Sequence, residues 1–285
     1  MNKIGIIADT AQDLDLELGE KYGIEILSYH VQMGEKTFKD LVDIDSRTFY
    51  QTMDQYNTLQ TAIPSVQDLI EILDNMKGQG IEDVIIIVCT EKLTGMEGLA
   101  GTVQSYYEGL NIHIYQTNQI GSSAGLFSIY AAELRDKGLS VEEITSELDR
   151  IKNGEKATIH ALFRTLKYLI KGGRFNKYKG MIGMFLHINP LLKVEDGLIE
   201  VIDKIRGKTK SLNALADKIR EEIGESKKYR IIIFSGDNDE EVEELKEILK
   251  DLIDGAELYL QTEFTSVLGV HAGPKSIGIA TMKLD

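Results

Sequence analysis

The sequence predicts an α/β protein of two α/β domains, the first built on a largely parallel sheet and the second on a partly antiparallel one. Three observations carry this. Its 285 residues exceed the roughly 100–200 residues of an average domain, which places about two domains on the chain. Short β-branched apolar runs recur with amphipathic stretches between them, the alternation that builds βαβ units. In the second half an Asp196-Gly197 pair separates two strand-like runs, a hairpin signal that requires antiparallel pairing.

The first-half strands are read at Ile4 to Ala8, Val84 to Cys89 and Ile112 to Tyr115. They are apolar at every position, as expected for strands covered on both faces of a parallel sheet. Between them, Ser65 followed by Asp68 resembles a capping box, and Val66, Leu69, Ile70 and Leu73 have helical spacing. Ser140 with Glu143 repeats that signature, and Asn153-Gly154 stops the helix. The boundary is placed there, giving domains 1–154 and 155–285. Beyond it, strands are read at Ile231 to Phe234 and Leu258 to Leu260, and helices at Ser211 to Ile223 and Asp239 to Leu252.

Hydrophobic residues make up 42% and charged residues 27% of the chain, ordinary values for a globular protein and not for a disordered one. No apolar run reaches the roughly 18 residues of a membrane span, and the start meets an acid too soon for a signal peptide. The expected location is cytoplasmic. A net charge of −14 repels nucleic acid and anionic membrane, leaving no nucleic-acid partner and at most transient membrane contact. Basic residues nevertheless cluster at Lys167, Lys171, Arg174, Lys177 and Lys179, and at Lys204, Arg206, Lys208 and Lys210. Cys89 sits inside an apolar run, where a buried, inert thiol is expected.

There is no Gly-x-Gly-x-x-Gly, P-loop, His-Glu-x-x-His or Gly-x-Ser-x-Gly motif. The five histidines His30, His113, His160, His187 and His271 lack metal-ligand spacing, so no metal and no cofactor is expected. What remains is a set of hydroxyl-bearing and Gly-Pro segments. Thr61 and Ser65 flank Pro64, and Thr90 and Thr94 follow the most apolar strand, the edge where open α/β sheets bind ligands. Helix capping would explain the same hydroxyls equally simply. His271 lies in Gly269-Val270-His271-Ala272-Gly273-Pro274, where glycines permit close approach of another backbone. Lys171-Gly172-Gly173-Arg174 ends a helix and exposes two cations, as either a C-cap or an anion-docking surface.

These pieces, in this order, resemble the DegV proteins, the fatty-acid-binding subunits of bacterial fatty acid kinase. Ala8-Asp9-Thr10-Ala11-Gln12-Asp13-Leu14 is similar to the family's Asp-Ser-Thr-Ala-Asp-Leu, and Thr61-Ala62-Ile63-Pro64-Ser65 stands for its Thr-Ser-Gln-Pro-Ser. Leu93-Thr94-Gly95 stands for Leu-Ser-Gly, and Leu166 to Arg174 matches Leu-x-Tyr-Leu-x-Lys-Gly-Gly-Arg. Asn189-Pro190-Leu191-Leu192, Asp196-Gly197, the Arg206 segment and His271-Ala272-Gly273-Pro274 complete a match across essentially the whole chain.

The resemblance implies one long-chain fatty acid in a tunnel between and within the domains, its carboxylate held by Thr61 and Thr94 with His271 nearby. It implies a non-catalytic subunit whose partner, a fatty acid kinase catalytic subunit, phosphorylates that carboxylate. Ile63, Thr90, Ser122 and Ser123 are further candidates for the head group, and Lys171, Arg174 and Arg206 for docking the kinase. Ala62, Ile63, Thr94 and Gln116 depart from the family's usual Ser, Gln, Ser and Asp, which leaves room for a different head group. Two alternatives stay open: a phosphotransferase or hydrolase acting alone through Asp9, Asp13 and Asp40, or a binder of another apolar ligand.

Overall fold

A computed structural model describes residues 3–175 and 188–285; Lys177, Lys179 and His187 fall outside the described residues. The first half runs β1 (Ile4–Asp9), α1 (Leu16–Tyr22), β2 (Ile24–Leu27), β3 (His30–Met33), β4 (Lys36–Lys39), α2 (Ser46–Thr52) and β5 (Leu59–Ala62). It continues through α3 (Val66–Gly78), β6 (Asp83–Val88), α4 (Met96–Gln104), β7 (Asn111–Gln116), α5 (Gly121–Asp136) and α6 (Val141–Asn153). The second half comprises β8 (Ala157–Leu162), α7 (Lys167–Lys171), β9 (Asn189–Glu195), β10 (Leu198–Ile205) and α8 (Lys208–Ile223). It ends with β11 (Tyr229–Ser235), α9 (Asp239–Ile248), α10 (Lys250–Gly255), β12 (Leu258–Glu263), α11 (Ser266–Ala272) and β13 (Ile277–Lys283).

The expected parallel sheet is present, with strand order β2-β1-β6-β7 and Ile6 facing Ile24 on one side and Ile85 on the other. All six residues of β1 are buried, as a strand covered on both faces must be. The chain leaves β1 to one side for β2 and returns to the other side for β6. The carboxyl ends of β1 and β6 therefore flank a topological switch point, where such sheets open a crevice.

Local signals hold where they were read. Ser65 Oγ accepts from Asp68 N at 3.1 Å while Ser65 N donates to Asp68 Oδ2 at 2.9 Å, and Ser140 and Glu143 make the same pair at 3.2 and 2.8 Å. These reciprocal bonds satisfy donors that a helix start leaves unpaired. Asp196 and Gly197, with φ of 48° and 72°, form the β9–β10 turn, both in the left-handed region that a two-residue hairpin of this twist demands.

Other elements differ from expectation. β3, β4 and β5 form a separate three-stranded antiparallel sheet that the sequence reading lacks. The helix expected from Asp239 to Leu252 breaks at Leu249, the residue between α9 and α10. The second sheet has six strands in the order β10-β9-β8-β13-β11-β12, and in it only β11 and β12 pair in parallel. The apolar run in β11 thus reflects cover on both faces, while its other neighbour, β13, is antiparallel.

That cover comes from α5 on one side and from α8 and α9 on the other. Thirteen of the 16 residues of α5 are buried because it packs against β1 of the parallel sheet and β8, β11 and β13 of the mixed one. A helix held between two sheets has no solvent face to make polar, which explains its weak amphipathicity. One apolar cluster consequently runs through both halves, from Ile7 and Phe127 to Ile159, Phe234 and Ala280. No helix of the described residues is long and apolar enough to cross a membrane.

Candidate functional site

A narrow cavity of about 100 Å³ lies where the switch-point crevice meets the mixed sheet. The parallel half supplies Ala11 after β1, Leu93 and Thr94 after β6, and Gly121 at the start of α5. The mixed sheet supplies Ile159, Ala161, Leu192, Val194 and Phe234. Alternation along the strands explains the division of labour: Ile159 and Ala161 face the cavity, while His160 and Leu162 face α8, because successive side chains leave a strand on opposite sides. α11 closes the cavity with Val267, Leu268 and His271.

Polar groups on this otherwise apolar wall gather around His271. Its Nε2 lies 3.0 Å from Thr61 Oγ1, joining α11 to β5 across 210 residues of sequence. Its Nδ1 has no partner. Gly172, in the turn after α7, makes the fit possible: a β-carbon there would stand 2.1 Å from Nδ1, so only glycine leaves room for the ring. Burial, and then the neighbouring Arg174 charge, push the His271 imidazole down to about 3. It is neutral at physiological pH, because the charged form would have to be desolvated beside another cation.

Arg174 is half-buried and also lines the cavity. Its Nη1 donates to the Gly172 carbonyl at 2.7 Å and its Nε to the Leu93 carbonyl at 3.3 Å, which ties the Gly-Gly turn to the loop after β6. Thr94 accepts from Met96 N over a long 3.4 Å, and its hydroxyl proton is left for another acceptor. Tyr29, from the β2–β3 connection, completes the polar set. Together these groups offer three hydroxyls, a neutral imidazole and a guanidinium at one wall of an apolar cavity, a receptor for one anionic, planar head group on a hydrophobic body.

The structure therefore brings together Thr61, Thr94 and His271, and adds Arg174, which the sequence placed on the surface. It does not bring the other candidates to the cavity. Ile63 is 38% exposed and lies over Gly95. Thr90 is buried, donating to the Gly197 carbonyl at 3.2 Å, so it holds the β9–β10 turn. Ser122 Oγ donates to Asp13 at 2.9 Å, and Ser123 is buried in the first turn of α5. Lys171 reaches the Asn57 carbonyl at 2.9 Å from an exposed position, and Arg206 is exposed at the end of β10. The capping reading holds for Ser65 and not for Thr61, which is a strand residue. Tyr29 was missed: it sits in a short segment between strands with no pattern that singles it out.

Asp9, Asp13 and Asp40 line no part of this cavity. Asp13 accepts from Ser122 N at 3.1 Å and Thr265 N at 3.3 Å, so it caps α5 from far along the chain and not the helix that follows it. Asp40 accepts from Ser266 N and Val267 N, both at 3.1 Å, anchoring the start of α11. Asp9 accepts from Ala11 N at 2.8 Å. Burial pushes Asp9 and Asp13 up to about 7 and raises Asp40 as well. These carboxylates serve buried backbone donors. Cys89 is buried, with its thiol raised by burial, as expected of an inert thiol. Among the described residues no group of three or more His, Cys, Asp or Glu is arranged to hold a metal.

Comparison with known proteins agrees with this architecture. The family model described as "Uncharacterised protein, DegV family" matches residues 3–284. A DegV domain-containing protein of Clostridium perfringens is 30% identical over 288 residues, covering 99% of both chains. One from Clostridium acetobutylicum is 28% identical over 284 residues, covering 99% of this chain and all of its own. Among solved structures, a fatty-acid-binding DegV family protein from Thermus thermophilus superposes with a TM-score of 0.90 at 21% identity, over 99% of each chain. A stearic acid-binding protein from Eubacterium ventriosum gives 0.86 at 25% identity, over 99% of this chain and 98% of its own. The fatty acid kinase B3 protein of Streptococcus pneumoniae, loaded with linoleic acid, gives 0.83 at 21% identity, over 99% of each chain. With the match running from Lys3 to Leu284, the chain belongs to the DegV family.

Proposed function

We propose that this chain binds a single long-chain fatty acid in its buried cavity and presents the carboxylate to a partner fatty acid kinase. The observation that carries the reading is the meeting of Thr61, Thr94, His271 and Arg174 on one wall of a cavity that is apolar elsewhere. The acyl chain contributes most of the affinity, about 0.8 kcal/mol per buried CH₂. The polar wall decides which end of the ligand lies there. His271 is neutral, and in the tautomer that carries its proton on Nε2 that N–H donates to Thr61, freeing the Thr61 hydroxyl to donate onward to a carboxylate oxygen. Thr94 and Arg174 supply further donors, and the guanidinium balances the charge.

At about 100 Å³ the cavity is smaller than the roughly 150 Å³ that encloses a benzene molecule. A long acyl chain therefore seats only as lining side chains move outward, and Ile120, Ile199 and Leu268 are its partly buried apolar lining residues. The chain itself contributes positioning: phosphoryl transfer to the carboxylate belongs to the kinase. Of the candidate contacts to that partner, Lys171 and Arg206 are exposed, whereas Arg174 serves the head group. Kinship to proteins named for stearic and linoleic acid supports the same ligand class here.

The test is mass spectrometry of the organic extract from the purified protein, beside an unrelated protein from the same host. A stoichiometric fatty acid is expected. An extract without one, together with no thermal stabilisation by added fatty acids, refutes the reading, and retention of a neutral lipid instead would redirect it.

A further inference from the structure

Two buried side-chain polar atoms without a hydrogen-bond partner line the cavity: His271 Nδ1 and the Tyr29 hydroxyl. The first is explained by Gly172 closing against it. The second has no such explanation. Tyr29 is only 4% exposed, and its backbone is fully committed: its N donates to Thr10 Oγ1 at 3.1 Å and its carbonyl accepts from Asp40 N at 2.9 Å. The ring is thus pinned with its hydroxyl buried beside the Thr94 side chain and within the field of Arg174, yet in no hydrogen bond of normal geometry. A buried hydroxyl left unpaired is costly, and one that lines a cavity is placed to be paired by what the cavity holds.

We infer that Tyr29 is a direct ligand of the head group, donating its O–H to a carboxylate oxygen between Thr94 and Arg174, and that it sets the preference for an ionised acid over a neutral lipid. An ionised carboxylate has about four acceptor positions, more than Thr61 and Thr94 fill. Burial raises the phenol well above its ordinary value, so it remains a donor throughout the physiological range. Asp9 and Cys89 also act on the phenol electrostatically, but neither is hydrogen-bonded to its hydroxyl. A phenol donor strengthens more toward a charged acceptor than toward an ester carbonyl, which is the source of the discrimination.

The inference rests on the fatty-acid reading and is tested with Tyr29→Phe, which removes one oxygen and keeps the packing. The dissociation constants of oleate and methyl oleate are measured for both proteins, with the melting temperature of delipidated protein. Oleate binding is expected to weaken by about tenfold or more, methyl oleate by less than about threefold. Delipidated Tyr29→Phe should melt no lower than wild type, because an unpaired hydroxyl has been removed. Unchanged oleate affinity would overturn the inference. So would a variant destabilised without ligand, which would show that the hydroxyl serves the fold. If wild type binds neither probe, the fatty-acid reading itself falls, and this inference falls with it.

Discussion

Acidification should expose the buried neutral state of His271. The unfolded chain takes up a proton on this residue near its ordinary value of 6.5, whereas the folded chain does so only at about 3. Below pH 6.5 the unfolded state therefore binds more protons, and stability is lost as pH falls toward 3. Above pH 6.5 the contribution is fully present. Because the folded-state value lies well below 5.5, the step from pH 7.5 to 5.5 corresponds to about 1 kcal/mol. Asp9 and Asp13 act with the opposite sign. Raised to about 7, they keep their protons when folded down to the range where the unfolded carboxylates also protonate, so acidification through that range favours folding. His160, lowered to about 4, adds to the acid loss.

The raw pH profile is therefore a sum, and only a difference isolates His271. The assay is urea denaturation of wild type and His271→Gln at pH 7.5 and 5.5. The variant should gain about 1 kcal/mol on wild type over that interval, whatever its absolute stability. A bound carboxylate beside the ring would raise its pKa, so saturating fatty acid should shrink the gain. A difference between the two proteins that does not change with pH would refute the buried, neutral imidazole, as would a ring titration near 6.5 by NMR.

Two further outcomes follow from the same geometry. Gly172→Ala would drive its β-carbon into His271 Nδ1, costing about 1–3 kcal/mol by overpacking and weakening fatty-acid binding together with stability; thermal melts with and without ligand check both. Asp40→Ala leaves Ser266 N and Val267 N without their acceptor, at about 1–3 kcal/mol for the orphaned donors; chemical denaturation measures it, and Asp40→Asn should recover part of the loss.

The parts of this protein legible in the sequence are those decided by neighbours along the chain. A capping box spans three residues, so Ser65 with Asp68 and Ser140 with Glu143 announce their helices directly. A two-residue turn needs residues that accept positive φ, and Asp196-Gly197 supplies them. Strands covered on both faces must be continuously apolar, so β1, β6 and β11 declare themselves, though not the direction of their partners. Ordered motifs likewise carried Thr61, Thr94 and His271 through the family resemblance.

What only the tertiary structure decided are the contacts between distant segments. The strands β3, β4 and β5 have four residues each and are partly exposed, too short and too polar to show a period, and they exist because they pair with one another. Arg174 reads as a surface cation in sequence; its burial follows from the Gly172-Gly173 turn folding it back onto Leu93. Tyr29 and Thr94 meet only because the β2–β3 connection and the loop after β6 leave the same edge of the sheet. The Thr61–His271 bond spans 210 residues. It forms because α11 packs directly on β3 and β5, and because Asp13 and Asp40 anchor the start of α11.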